Sequence, residues 1–247
     1  MESVKRNEMD MLHGGLAGKL ILFSMPLAFS SILQQLFNSA DVAIVGRFAG
    51  DTALAAVGSC VALVGIYVNL IVGLSVGPNA VLANLIGQKK RSAIPKVLHT
   101  ILAFGLLLGI LLMGIGLLTA KVILEISGTP QRVMPQALVY IRIYFASIPF
   151  MVIYNFGAAC LRSYGDTRRP MFYLIVSGIA NVILNLLLVI GFDLGVAGVA
   201  IGTFLSNLMS AAMVLFHLWH REDEFSFHVK LLKIEREPLC FSFICII

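Results

Sequence analysis

Six stretches free of Asp, Glu, Lys and Arg dominate the chain: residues 20–40, 52–88, 97–120, 143–161, 170–192 and 194–219. About 20 apolar residues carry a helix across the hydrocarbon core of a bilayer, and each run is near or above that length. Lipid offers no partners to backbone N–H and C=O groups, so every run is predicted to be a helix that pairs them internally. The second run exceeds one minimal span yet is too short for two spans and a loop. It reads as one long helix bent near Gly77 and Pro78, where the proline removes a backbone donor. Pro26 and Pro149 are predicted to break two further helices. Residues 124–136, with Gly128-Thr129-Pro130 and Pro135, carry the turn chemistry of a loop. Two sets of glycines, Gly105, Gly109, Gly114 and Gly116 in the third run and Gly195, Gly198 and Gly202 around the sixth, are predicted to let helices approach closely.

Composition narrows this to a membrane protein. Hydrophobic residues make up 59% of the 247 and charged residues only 13%, against roughly 45–50% and about 25% in soluble domains. The expected fold class is therefore all-α and integral to the membrane, one domain of six transmembrane helices over residues 17–220. The net charge of +5 does not signal nucleic acid, because the basic residues lie in short clusters between apolar runs.

Those clusters orient the chain. With six spans, one side receives Lys5, Arg6, Lys19, Lys89, Lys90, Arg91, Lys96, Arg162, Arg168, Arg169, Arg221, Lys230, Lys233 and Arg236, which is 14 of the 18 basic residues. The other side receives the remaining 4: Arg47, Lys121, Arg132 and Arg142. The positive-inside rule then makes both termini cytoplasmic, residues 1–16 at one end and a linker over 221–247 at the other. Residues 1–19 carry mixed charge and no small-residue cleavage site closes the first run, so that span is expected to be retained.

Polar residues inside the runs mark candidate chemistry. Asp41 follows Gln34 and Asn38 at i, i+4, i+7 spacing, which puts all three on one helix face. A carboxylate in a span costs about 2.5–3.5 kcal/mol on insertion scales, so it either faces a water-filled cavity or sits at the outer mouth near a loop carrying Arg47. Ser177, Asn181 and Asn185 repeat the single-face pattern in the fifth run, and Thr203, Asn207 and Ser210 in the sixth. Such groups either line a cation or substrate path or join packed helices. Cys60 and Cys160 read as small hydrophobes, with no CxxC pair, and His217 and His220 as residues of the headgroup region. No GxSxG, P-loop, HExxH or dinucleotide motif is present, so neither an enzyme nor a nucleotide-driven pump is expected, and no cofactor.

Three motifs carry a family resemblance. The stretch PLAFSSILQQLFNSADVAIVGRFAG resembles the first helix of multidrug and toxic compound extrusion transporters. LRSYGDTRRPM resembles the cytoplasmic end of their fourth helix, and NVILN followed by LGVAGVAIGT their fifth and sixth. The resemblance implies one six-helix lobe of a two-lobe, 6+6 antiporter of the bacterial inner membrane, which exports organic, often cationic, drugs. It implies that Asp41 couples transport to protons or sodium; no metal is certain, and in the sodium case the ion would sit near Asp41. Asn181 and Thr203 match positions near the cation site, and Asn185 stands where relatives often carry a second carboxylate. After the linker the ending LCFSFICII is too short to span, so half a transporter is expected. The expected partners are membrane lipid, small organic cations, and a second six-helix lobe or a second copy of the chain. Two alternatives stay open: a non-transporting remnant, and a lipid-linked-sugar flippase. A flippase should carry more basic residues on cavity-facing helices than Arg142 alone.

Overall fold

In the computed structural model, which describes residues 16–221, the chain is helical throughout, with no strand among those residues. The helices are α1 (Leu16–Phe48), α2 (Asp51–Leu74), α3 (Val76–Gly87), α4 (Ile94–Ile126), α5 (Met134–Ser163), α6 (Arg168–Leu186) and α7 (Gly195–Trp219). A 3₁₀ turn, Arg91–Ala93, precedes α4, and a π-helical segment, Leu187–Gly191, extends α6. α2 and α3 follow end to end as one apolar span of 37 residues. Five spans are thus long and apolar enough to cross a membrane, and α1, with 33 residues, makes the sixth. The terminal segments expected in the cytoplasm, apart from Leu16 and Arg221, lie outside the described residues.

The helix is interrupted at Ser75, close to the expected place and about one turn before the proline. Pro78 has no N–H to offer the carbonyl of Leu74, four residues back, and α2 ends there. Ser75 completes the last turn, its N–H bonding Ile71 O at 3.0 Å and its hydroxyl donating to Val72 O at 2.7 Å. Pro26 and Pro149 do not break their helices: α1 and α5 run straight through them. At Pro149 the flanking turns are held by packing, with Ser147 and Ile148 fully buried. The 124–136 loop is likewise shorter than expected, because α4 continues to Ile126 and α5 starts at Met134. Leu124 is fully buried and holds the last turn of α4, while Gly128 ends it at φ +73°. α1 also outruns its charge-free stretch, so Arg47 lies in its last turn and not in a loop.

α5 is the centre of the lobe: every residue from 151 to 161 is buried. α4 lies against it through three glycines. A Cβ on Gly105 would sit 2.7 Å from the Phe156 ring, on Gly109 2.7 Å from Pro149 Cα, and on Gly116 2.8 Å from the Phe145 ring. Gly114 and Gly195 make no such approach, contrary to expectation. Gly114 is out of phase with the other three, and Gly195 opens α7 at φ +50°. Gly198 does pack closely, against Leu188.

At the end of the bundle where α5 finishes, Asp166 Oδ1 accepts the Arg169 N–H at 3.1 Å and caps α6. The Arg169 guanidinium lies 3.2 Å from Asp166 Oδ2 and donates to His217 Nε2 at 2.9 Å, joining α6 to α7. His217 is thus a packing partner, whereas His220 is exposed and stacks on Phe216. Cys60 and Cys160 are buried and free.

Candidate ion and substrate site

Asp41 lies inside α1, seven residues short of its end, and is only 7% exposed. It is therefore held within the helix bundle. Two side chains from two other helices meet it, and a third joins them. Asn185 of α6 donates through Nδ2 to Asp41 Oδ1 at 2.6 Å, and to Asn181 Oδ1, one turn back, at 3.3 Å. Thr203 of α7 places Oγ1 3.3 Å from Asp41 Oδ2 and 3.0 Å from Val199 O. Its single hydroxyl proton serves one of these oxygens at a time. Asn181 Nδ2 approaches the same hydroxyl at 3.4 Å.

Small residues set this convergence. The Phe37 ring occupies the space a Cβ on Gly178 would fill, which seats α1 on α6. Asn185 Oδ1 likewise occupies the place of a Cβ on Gly202, which brings α6 and α7 together beside the carboxylate. That oxygen is buried and accepts no hydrogen bond among the described residues. An amide oxygen left in that state costs about 1–3 kcal/mol.

Asp41, Asn181 and Thr203 open onto a cavity of about 90 Å³, while Asn185 stands behind its wall. Gln34 and Asn38 line the same cavity, and neither is bonded to Asp41; Asn38 instead donates to Gln35 at 3.4 Å. Of the six sequence-derived candidates, four thus form one hydrogen-bonded group and two form part of the wall. Ser177, Asn207 and Ser210 line the cavity as well. α5 adds Tyr144 and Asn155, which the polar pattern did not single out. The signal was present: Ser147, which accepts a bond from Asn207 at 3.1 Å, and Asn155 stand eight residues apart, like Ser177 and Asn185. The cavity wall carries no basic residue, and Arg142 is exposed on α5.

The sequence profile of MatE matches residues 26–187, well over half of the chain. The chain belongs to the MatE family. The match takes in Asp41, Asn181 and Asn185 and stops short of Thr203, which joins the group by geometry. Among MatE relatives, the probable multidrug resistance protein YoeA of Bacillus subtilis is 32% identical over 88% of this chain and 49% of its own length. The probable multidrug resistance protein YpnP of the same organism is 32% identical over 85% of this chain and 47% of its own. A crystal structure of MATE in the bent conformation superposes with a TM-score of 0.83 at 25% identity, over 90% of this chain and 49% of that one. The chain spans about half the length of the curated relatives it matches. Its MatE fold is one six-helix lobe, and it is a multi-pass membrane protein.

Proposed function

We propose that the chain is one lobe of a secondary active antiporter of the bacterial inner membrane, exporting organic, often cationic, compounds against inward flow of protons or sodium. One observation carries this reading: the buried Asp41 carboxylate, ringed by Asn181, Asn185 and Thr203, opens onto a cavity among the helices. A desolvated carboxylate favours a counter-charge, and a proton, a sodium ion and a substrate cation compete for that role. Sodium fits the donor set, since Asp41, Asn181 and Thr203 present oxygens to the cavity. A proton fits equally well, because protonated Asp41 can donate to the Thr203 hydroxyl once that hydroxyl turns to Val199 O. The names of YoeA and YpnP support the substrate class.

The exposed face of α1 supports a partner lobe. It mixes Gln35, Asn38 and Ser39 with Met25, Phe29, Ile32 and Leu36, whereas the exposed face of α4 around Leu107, Leu111 and Leu118 is apolar. Amides are costly against lipid, so the α1 face suits a second six-helix lobe or a second copy of the chain. The absence of basic side chains from the Asp41 cavity disfavours a lipid-linked-sugar substrate. In a version carrying both lobes, expressed in an exporter-deleted bacterium, Asp41→Asn is expected to abolish drug resistance and ion-driven export while membrane insertion is unchanged. Undiminished export by that variant would overturn the proposal.

A further inference from the structure

Between α1, the α2–α3 junction, α5 and the start of α6 lies a second, larger cavity of about 270 Å³. It adjoins the Asp41 cavity and shares Gln34, Tyr154, Asn155 and Leu174 with it. Its charge is opposite. Arg162, in the last turn of α5, is the one charged residue on its wall, and no carboxylate lines it. Arg169 nearby has Asp166 as its partner, but the Arg162 guanidinium makes no ion pair or hydrogen bond among the described residues. A half-buried guanidinium without a counter-ion is costly, so an arrangement that keeps one calls for an anion.

Two neighbours point the same way. Thr167 is buried at the N-cap of α6 yet does not cap it, because Asp166 does. Its hydroxyl and the Asn79 amide carry no hydrogen bond among the described residues, and both side chains line the cavity. Tyr154 donates to Pro170 O at 3.0 Å and holds the first turn of α6, with Thr167, at the wall. A guanidinium fork, a hydroxyl and an amide on three different segments match an anion with several oxygens better than a halide.

We propose that this cavity is a second ligand site, one for a phosphate-type oxyanion anchored by Arg162 with Asn79 and Thr167. The anion is either free phosphate or the phosphate of a lipid headgroup, and the test separates the two. The full 247-residue chain, delipidated in a maltoside detergent, is titrated with inorganic phosphate or with phosphatidylglycerol at constant ionic strength while its thermal midpoint is followed. A saturable rise with inorganic phosphate that Arg162→Gln removes and Arg168→Gln keeps identifies a free-ion site. A rise with phosphatidylglycerol alone, with the same dependence, identifies the headgroup. Should Arg162→Gln fail to fold, the double variant Asn79→Ala/Thr167→Val keeps the charge and is expected to raise the half-saturating concentration about tenfold. Asp41→Asn leaves the response intact, which separates this site from the first. The proposal is overturned if neither titrant produces an Arg162-dependent rise, or if the double variant saturates like the parent.

Discussion

Asn185 is held at both ends of its amide, by the Asp41 carboxylate on one side and the bare backbone of Gly202 on the other. Adding a methyl group at Gly202 must therefore move the amide. Gly202→Ala is expected to cost about 1–3 kcal/mol through overpacking, read as a lower thermal midpoint in detergent. An unchanged midpoint would show that Asn185 has room the structure does not give it. The spacing of Asn181 and Asn185, one turn apart, made their shared face legible in the sequence, and so did the single deep carboxylate. What spacing could not reveal is which helix each face meets. Gln34 and Asn38 share a face with Asp41, yet of the three only Asp41 is reached by side chains of the helices opposite, so the first two remain wall residues. Asn155 is harder to find, because its one companion, Ser147, stands two turns away with mostly apolar residues between them, which makes a stripe of only two members.

Helix by helix, the apolar runs located the spans, but their ends followed packing instead of charge. α1 carries Asp41 and Arg47 inside its helix, and α4 absorbs Lys121 and Glu125, a pair 3.8 Å apart in its last two turns. Glycines in the third run foretold a close contact, and the phase decides which of them make it. Gly109→Ala would drive a methyl into the backbone of Pro149, which cannot swing aside as a side chain would. It is expected to destabilise the α4–α5 contact by about 1–3 kcal/mol. Gly114→Ala meets nothing within 4 Å and should be neutral, or stabilising by up to about 1 kcal/mol through helix propensity. Thermal midpoints of the two variants side by side check this; equal losses would mean that α4 is rotated relative to its position here.

For the whole lobe, six passes and the 14-to-4 division of basic residues set an orientation that reporter fusions can read. Fusions at Asp51, Gln131 and Asp193, all at helix ends or in loops, should report the outside. Fusions at Lys90 and Arg168 should report the inside, and an inside signal at Gln131 would reverse the assignment. The count of passes was legible, but the central place of α5 was not: among apolar helices, hydrophobicity no longer distinguishes a neighbour from lipid. In the orientation that the charge count predicts, Asp41 stands toward the outer end and Arg162 at the inner end of the same lobe. The two adjoining cavities then form an electric dipole aligned with a membrane potential that is negative inside. Each elementary charge carried across 100 mV is worth about 2.3 kcal/mol, so the resting voltage favours both charges where they stand. On the antiport reading proposed above, neutralising Asp41 removes one pole, and uptake of a proton or cation from outside is then the step at which the voltage would act on the lobe.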